Sequence, residues 1–310
     1  MNGYNSLLFS MIYHLIYNPM CRSGSHSYHV VETLIDHAIK KGIKIIVHET
    51  KYKRHATEIT RKLTTNVEAE IKIISFGGDG TLHEVLNGIV DFEKTTIAIL
   101  PLGSGNDFAR YWGIDLNDQP VIMFDKIITQ YVPKKIDYLL INDSLRVINS
   151  VNLGMSARVI KFMEKLRYFK PRLKYLMATF CKCVFYKNFN YLISFNKKPF
   201  IKIISPSITF CNGPYFGCGM LIAPGAEAND GIIKTSIIRK FNRLATLKIL
   251  MRLKKNKINL EKCYQAVDTK EADVILAKSD IQADGQLFFD YDHLNIKIIP
   301  KKLTMLLPPK

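Results

Sequence analysis

The chain has 310 residues, and 44 lysines and arginines against 27 aspartates and glutamates give it a formal net charge of +17. Hydrophobic residues make up 47% of it, which is enough for an apolar core and excludes an intrinsically disordered chain. The length predicts two domains, and the absence of a Gly-X-Y period and of sustained heptads excludes collagen and coiled-coil classes. The positive charge favours polyanions in general, whether nucleic acid, an anionic membrane surface or a phosphorylated substrate, but a merely solvated lysine-rich surface explains it equally well.

The first 135 residues alternate short apolar segments with segments of helical periodicity. Strands are expected at residues 12–17, 43–47, 71–76 and 97–101. Helices are expected at about residues 26–41, 54–63 and 81–89. Strand and helix in alternation predict a parallel sheet that is covered by helices on both faces.

After about residue 135, short segments rich in Ile, Val and Tyr predict a mainly antiparallel β domain. Its strands are expected at residues 136–141, 145–152, 191–195, 201–210, 232–238, 274–277 and 296–299. Helices are expected at about residues 157–186 and 244–254. We therefore divide the chain into an α/β domain, residues 1–135, and a β-rich domain, residues 136–310, whose last strands can return to the first domain.

The cysteines and the hydropathy pattern point to a cytoplasmic protein. Six cysteines are present without a C-x-x-C pair, which is typical of reduced thiols rather than of a zinc or disulfide framework. The apolar residues 7–17 are too few to span a bilayer, and no basic residue precedes them. We expect a protein that is soluble or attached peripherally to a membrane.

The segment Gly77-Gly78-Asp79-Gly80-Thr81 lies directly between a predicted strand and a predicted helix. Glycine lets backbone N–H groups approach an anion, and a helix N-terminus attracts phosphate. Thr81 and Glu84 have the spacing of a capping box, so the helix is expected to begin there. Asp79 would repel phosphate unless a cation intervenes, and hydrated Mg²⁺ suits a single carboxylate. The alternative is an ordinary tight turn.

Two further loops follow predicted strands. The segment from Pro101 to Arg110 contains Gly103, Gly105 and Asp107, and Asn106 or Asp107 can cap a short helix. The segment from Asn18 to Gly24 is a weaker signal. In open α/β sheets ligands bind at the carboxyl ends of the strands. Neither a P-loop nor a Rossmann fingerprint is present, so we expect other loops to hold a nucleotide or polyphosphate.

These three segments, in this order, resemble the diacylglycerol kinase family of bacterial lipid kinases, which shares its catalytic module with sphingosine kinases. The ending Asn106-Asp107-Phe108-Ala109-Arg110 is similar to lipid kinases rather than to NAD kinases. In the second domain, residues 211–217, 223–231 and 284–286 also resemble family segments. The resemblance implies a parallel-sheet nucleotide domain like that of NAD kinase and phosphofructokinase, a C-terminal β-sandwich, and an active site in the cleft between the two.

The resemblance also implies roles for individual residues. ATP would be held by Asn18, Ser23, Gly24, Thr50, Gly77, Gly78, Asp79, Gly80, Thr81, Ser104 and Asn106. The catalytic Mg²⁺ and its waters would be organised by Asp79, Asp107 and Asp137. A second, structural Mg²⁺ would take the carboxylate of Asp230 and the backbone carbonyls of Glu227 and Ile232. Asp284 would be the general base.

The chain departs from the family pattern at two positions. Gln286 stands where the family has Glu, and Arg22 stands where the first loop usually has Gly. An amide cannot accept a proton at neutral pH, so the chemistry is retained only if Asp284 is the base. The alternative for Asp284-Gly285 is a two-residue hairpin turn, which this dipeptide favours.

The stretch from Lys161 to Lys187 carries eight basic residues against the single acid Glu164, with aromatic residues between them. Each cation near an anionic membrane contributes roughly 1 kcal/mol, and aromatic side chains suit the interface. We expect this stretch to bind an anionic membrane surface peripherally. The alternative is a core-packed helix with a solvated basic face.

The leading interpretation is an ATP- and Mg²⁺-dependent lipid kinase, with diacylglycerol as substrate and phosphatidic acid as product. One alternative is a kinase of a soluble substrate such as NAD. Another is a lipid- or nucleotide-binding relative that has lost its base, which Gln286 favours. Nucleic acid is not an expected partner because no recognition motif accompanies the charge. The sequence leaves the lipid and the oligomeric state open, with a homodimer as one option.

Overall fold

The computed structural model of the protein describes residues 11–21, 27–165, 177–178, 181, 187–239, 246–255 and 257–309. The chain forms two compact units. The first comprises residues 1–103, 112–135 and 303–310. The second comprises residues 104–111 and 136–302.

A parallel sheet forms the centre of the first unit. Its strands are β1 (Met11–Tyr17), β2 (Ile43–Glu49), β3 (Ile71–Gly77) and β4 (Thr95–Pro101), in the spatial order β2-β1-β3-β4. Residues at the end of the last strand of the chain add a further parallel strand beside β4, with Thr304 opposite Thr96. The predicted parallel α/β architecture is confirmed.

Helices of the first unit cover this sheet because their apolar faces pack onto alternate strand residues. The helices are α1 (Ser27–Lys40), α2 (His55–Thr64), α3 (Asp79–Gly88) and α5 (Pro120–Thr129). Tyr13, Leu15 and Tyr17 share a core with Leu34 of α1 and Phe124 of α5. Burying each such side chain contributes roughly 1.5–3 kcal/mol. We did not predict α5, which begins with proline in the first turn, a position where the missing N–H costs nothing.

The second unit is mainly antiparallel, as the sequence predicts. Its strands are the end of β5 (Val132–Ile141), β6 (Leu145–Val147), β7 (Ser150–Gly154), β8 (Phe189–Phe195), β9 (Ile201–Ser205), β10 (Ser207–Cys211), β11 (Tyr215–Phe216), β12 (Met220–Leu221), β13 (Ile233–Ile238), β14 (Tyr264–Thr269), β15 (Glu271–Ala283) and most of β16 (Gln286–Leu307). The strands β14-β13-β10-β7-β15 are neighbours in that order, and β15 also pairs with β8 and β16. Val151, Tyr191, Phe210, Val274 and Ile281 belong to one core cluster of this unit.

Several predicted strand boundaries in this unit were wrong. Each of the segments 145–152 and 201–210 is two strands, interrupted at Ile148-Asn149 and at Pro206. Proline lacks the N–H that a strand ladder needs, which explains the second break. The strand β14 was missed, and β15 and β16 are far longer than predicted.

Three described helices belong to this unit: α4 (Asp107–Tyr111), α6 (Met155–Lys165) and α7 (Thr246–Lys254). The helix predicted over residues 157–186 begins at Met155, and most of its second half lies outside the described residues. Among the residues that the structure describes, no helix is long and apolar enough to cross a membrane.

Candidate functional site

The loops that follow the parallel strands of the first unit start at one edge of its sheet. The Asn18 N–H, directly after β1, donates to the carbonyl of Phe76 in β3 at 3.1 Å. The Thr50 N–H, after β2, donates to Tyr17, and the Leu102 N–H, after β4, donates to Gly77 at 2.8 Å. The carboxyl ends of all four strands therefore bring Asn18, Thr50 and the glycine loop to the same edge.

The glycine loop has no room for a side chain at its first position. A Cβ on Gly77 would lie 2.3 Å from Oγ1 of Thr81, which is closer than real contacts allow. Thr81 Oγ1 also accepts a hydrogen bond from Nδ2 of Asn18 at 3.2 Å, and Sγ of Cys21 lies 3.8 Å from it. The tight turn places the N-terminus of α3 at this edge, where its partial positive charge favours a phosphate group.

The capping-box prediction for this helix was wrong. The helix α3 begins at Asp79, two residues earlier than expected, and Gly78 is its N-cap residue without a side-chain cap bond. Thr81 lies in the first turn, where its side chain contacts Asn18 instead of capping the helix. Asp79 is therefore itself an acidic residue of the first turn, which is favourable for the helix dipole.

The other residues predicted to bind ATP do not lie among the described residues of the first unit. Ser23 and Gly24 lie outside the described residues. Ser104 and Asn106 belong to the second unit, where Ser104 is exposed and Asn106 is buried with a left-handed backbone, φ 49°. The first unit thus brings together Asn18, Thr50 and the segment from Gly77 to Thr81.

Asp107, at the start of α4, is a buried carboxylate that binds a distant loop. Its two oxygens accept hydrogen bonds from the N–H groups of Cys218 at 3.2 Å and Gly219 at 2.6 Å. Burial raises the pKa of the Asp107 carboxyl, and these two N–H groups oppose part of the shift. The Asp107 carboxylate therefore anchors the loop around residues 218 and 219.

Asp137 in β5 is completely buried and has a similar environment. Its carboxylate accepts hydrogen bonds from the N–H of Gly231 at 2.6 Å and from the N–H of Lys301 at 2.7 Å. Its backbone carbonyl accepts from Nδ2 of Asn212, which also donates to the carbonyl of Ile148. Asp137 therefore ties three segments of the second unit together.

Asp230 in this unit lies close enough to Asp137 and Glu227 to be affected by their charges. Partial desolvation raises the pKa of the Asp230 carboxyl, although the side chain is largely exposed, and the negative charges of Asp137 and Glu227 raise it further. A cation would relieve this repulsion, so the donor set fits a hard metal ion such as Mg²⁺. In the described ranges, however, no three His, Cys, Asp or Glu side chains are grouped closely enough to hold a metal ion by themselves.

Asp284 and Gly285 form the two-residue turn between β15 and β16. Their φ angles are 46° and 83°, as a type I′ turn requires, and Ala283 pairs with Gln286 across it. The Asp284 carboxylate is buried and accepts three consecutive backbone N–H groups. These donors are Ile148 at 2.9 Å, Asn149 at 2.8 Å and Ser150 at 3.2 Å. The backbone of Asp284-Gly285 is therefore the predicted hairpin turn. The Asp284 side chain in addition anchors residues 148–150, where the chain is interrupted between β6 and β7.

Sequence reasoning missed the residue that organises this break. The Asn149 carbonyl accepts the N–H groups of Asn212 and Gly213, and its Nδ2 donates to the carbonyl of Tyr215 at 2.6 Å. A Cβ on Gly213 would lie 2.3 Å from Oδ1 of Asn149. No local sequence signal marks Asn149, because its partners are more than 60 residues away.

Comparison with known proteins agrees with the architecture. A computed match to solved structures pairs the chain with a crystal structure of a diacylglycerol kinase from Bacillus anthracis, with a TM-score of 0.75, 22% identity and coverage of 96% of this chain and 97% of that one. An NAD kinase from Archaeoglobus fulgidus in complex with ATP matches with a TM-score of 0.52, 11% identity and coverage of 97% and 95%. At these identities the likeness shows the fold, which is that of the NAD kinase-like class with a C-terminal antiparallel β-sandwich.

Family models and curated relatives identify the chain further. Residues 13–140 match the diacylglycerol kinase catalytic domain, and residues 149–307 match the YegS C-terminal NAD kinase beta sandwich-like domain. The chain therefore belongs to the YegS and diacylglycerol kinase family and is a kinase.

Two curated relatives illustrate the similarity. A Shewanella frigidimarina protein named "Probable lipid kinase YegS-like" is 25% identical over 257 residues, which cover 81% of this chain and 80% of that protein. A Bacillus subtilis protein named "Diacylglycerol kinase" is 24% identical over 279 residues, which cover 88% of each chain.

Proposed function

We propose that the protein transfers the γ-phosphate of ATP, with Mg²⁺, to the hydroxyl group of a lipid. Diacylglycerol is the proposed acceptor, and phosphatidic acid is the product. The observation that carries the proposal is the Gly77 turn, where a Cβ would collide with Thr81 and where the N-terminus of α3 opens onto the carboxyl edge of a parallel sheet. This is the geometry that favours polyphosphate.

Residues of the first unit bind and orient the nucleotide in this proposal. The backbone from Gly77 to Thr81 contacts the phosphates, and Asn18 fixes the Thr81 hydroxyl through its amide. Phosphoryl transfer requires mainly positioning and charge stabilisation, so a rigid loop is well suited to it. Thr50, Ser23, Gly24, Ser104 and Asn106 complete the proposed nucleotide contacts.

Residues of the second unit supply the proposed proton acceptor. The lipid oxygen attacks the γ-phosphorus as the bond to the β-phosphate oxygen breaks, and the hydroxyl proton passes to the carboxylate of Asp284. Three backbone N–H groups hold that carboxylate in a fixed position, at donor–acceptor distances of 2.8–3.2 Å.

The residues proposed for metal binding offer carboxylate and carbonyl oxygens, the ligands that Mg²⁺ prefers. Asp79, Asp107 and Asp137 would hold the waters of a catalytic Mg²⁺, which when bound offsets charge on the phosphate oxygens. The carboxylate of Asp230 and the carbonyls of Glu227 and Ile232 would hold a structural Mg²⁺.

We also propose that the protein is cytoplasmic and docks on anionic membranes through the stretch from Lys161 to Lys187. Both of these lysines are exposed, whereas most residues between 165 and 187 lie outside the described ranges. The proposal rests on the density of positive charge there, since surface lysines attract anionic lipids.

The proposed function is tested by incubating the protein with γ-labelled ATP, Mg²⁺ and vesicles that contain diacylglycerol. Labelled phosphatidic acid is the expected product. Label in a soluble acceptor such as NAD, or no transfer to any of a panel of membrane lipids, would contradict the proposal.

The variant Gly77→Ala tests the observation that carries the proposal. We expect ATP affinity to fall by about tenfold or more, because the loop must move to accommodate the Cβ. The control is Gly42→Ala, at an open turn with φ 68° and no atom within 4 Å of its Cβ position. It costs backbone strain of about 1–2 kcal/mol but leaves ATP affinity unchanged.

A further inference from the structure

A cavity of about 310 Å³ lies within the second unit. Its walls come from the start of α6, the first residue of β8 and the middle of β15. The lining residues are Gly154, Ala157, Arg158, Lys161, Phe189, Lys278, Ser279 and Asp280. Its volume is at the lower end of the range for small-ligand sites.

Positive charge dominates the lining of this cavity. Its ionic side chains are Arg158, Lys161 and Lys278 against the single carboxylate of Asp280, which leaves two positive charges in excess. Nζ of Lys161 lies 3.3 Å from Asp280, and Nζ of Lys278 lies 3.6 Å from Asp290 outside the lining. Both are weak surface pairs that an incoming anion can replace.

An aromatic ring holds Arg158 in place. Its guanidinium carbon lies 4.8 Å from the centre of the Phe189 ring, in a cation–π contact. Among the side chains that the structure describes, none forms an ion pair with Arg158. A guanidinium positioned by an aromatic ring is well suited to bind a phosphate oxygen pair.

Strand β15 is irregular where Lys278, Ser279 and Asp280 line the cavity. The pairing of β15 with β16 shifts register on both sides of Ser279, which is the signature of β-bulges. Bulges change the direction of side chains and are frequent next to functional sites. The irregularity places Lys278, Ser279 and Asp280 together in the wall.

Gly154 forms a closely packed part of the cavity wall. It has φ 82°, and a Cβ there would lie 2.6 Å from the Tyr191 hydroxyl and 2.6 Å from the Pro206 carbonyl oxygen. Tyr191 itself is 2% exposed and is not a lining residue. The wall at this position therefore has no room for a side chain, and the ionic side chains come from α6 and β15.

We propose that this cavity binds a phosphate monoester. Such a group carries about −1.5 to −2 charges at pH 7, which matches the excess of the lining, and offers three acceptor oxygens to Arg158, Lys161 and Lys278. The phosphate can belong to a soluble molecule or to a lipid headgroup. None of the lining residues is among those proposed for ATP or Mg²⁺, and only Lys161 is shared with the proposed membrane stretch.

The experiment measures binding to the full-length protein in the presence of a non-hydrolysable ATP analogue, so that the proposed nucleotide residues are occupied. Calorimetry uses inorganic phosphate and glycerol 3-phosphate, and flotation uses vesicles with phosphatidic acid or with phosphatidylserine at matched charge. The variants are Arg158→Gln and Lys278→Gln, both at exposed positions, with Lys202→Gln on β9 as the matched exposed control. Thermal unfolding verifies that all three remain folded.

We expect each cavity variant to weaken binding by about tenfold, the effect of one charge-assisted hydrogen bond, while the control stays within about twofold of the wild type. Losses with glycerol 3-phosphate support a soluble ligand, and losses with phosphatidic acid vesicles alone support a headgroup. The proposal would be overturned if glycerol 3-phosphate and phosphatidic acid vesicles bound equally well to the cavity variants and the wild type, or bound to none of them.

Discussion

The glycine loop of the first unit and the buried acids of the second use their motif residues in opposite ways. From Gly77 to Thr81 the side chains are small, and the backbone presents a helix N-terminus at the edge of the sheet. In the second unit Asp107, Asp137 and Asp284 are buried, and each accepts two or three backbone N–H groups from distant segments. In the first unit the proposed ligand contacts are therefore made by the backbone. In the second unit the acidic side chains organise the backbone.

The comparison shows that an acidic motif residue can be required for folding without contacting a substrate. A carboxylate that satisfies several buried N–H groups contributes to folding, because each unsatisfied group costs about 1–3 kcal/mol. The three predictions that follow separate this role from catalysis and metal binding, beginning with the largest effect.

Asp284→Asn is expected to lower kcat by about 10²–10⁴-fold, the usual range for loss of a general base, with ATP affinity unchanged. The companion variant Gln286→Glu restores the acidic residue that the family has at this position. If Asp284 is the base, Gln286→Glu stays within about tenfold of the wild type in kcat. Lipid phosphorylation across a pH series is the measurement.

A different result would show that Asp284 is not the base. A gain of about a hundredfold in Gln286→Glu would assign the base to position 286 and leave Asp284 as an anchor of the 148–150 backbone. Urea unfolding of Asp284→Asn measures that anchoring role, since one amide cannot replace both acceptor oxygens.

Asp137→Ala is expected to destabilise the protein by about 2–5 kcal/mol, because it removes a fully buried carboxylate that accepts the N–H groups of Gly231 and Lys301. The control is Asp268→Ala, which removes a half-exposed partner of Lys234 and should cost no more than about 1 kcal/mol. Chemical denaturation measures both. Equal losses would mean that Asp137 has no special anchoring role.

Asp230→Asn is expected to have a small effect that depends on pH and Mg²⁺. Because the folded state raises the pKa of Asp230, the folded protein binds this proton more tightly than the unfolded chain. Its contribution to stability is present at low pH and is lost as the pH rises through the folded pKa. Without Mg²⁺, Asp230→Asn should therefore melt slightly above the wild type at neutral pH, by the order of a degree.

Adding Mg²⁺ in the absence of nucleotide should raise the melting temperature of the wild type and not that of Asp230→Asn. Asp36→Asn, at an exposed position in α1, is the matched control and should respond as the wild type does. An equal response from all three proteins would place the structural metal elsewhere.

The sequence predicted the first unit well because its signals are local. Each strand is a short apolar run, and the loops after β3 and β4 carry glycine at the point where the chain turns. Helix α5 was overlooked because Gln119-Pro120 looks like a loop, although proline is favoured in a first helical turn.

The second unit was harder because its decisive interactions are long-range. Strand β15 has its alternation broken by Lys278-Ser279-Asp280, where the bulges lie, so only its middle was recognised. The sequence predicted Asp284 as a general base or as part of a hairpin turn. It did not predict the three backbone N–H partners of this side chain, which lie 134–136 positions earlier in the chain. No spacing rule reveals such a contact.

Strand β16 gives the protein an unusual order of assembly. Its last residues pair with β4, so Thr304 meets Thr96 across about 200 positions of the chain. The first unit, which contains the glycine loop, therefore lacks one strand of its sheet until the residues of the second unit have been synthesised. Closing so long a loop late is slow and leaves the edge of β4 exposed to other chains, so growth temperature and chaperone supply should govern the yield of native enzyme.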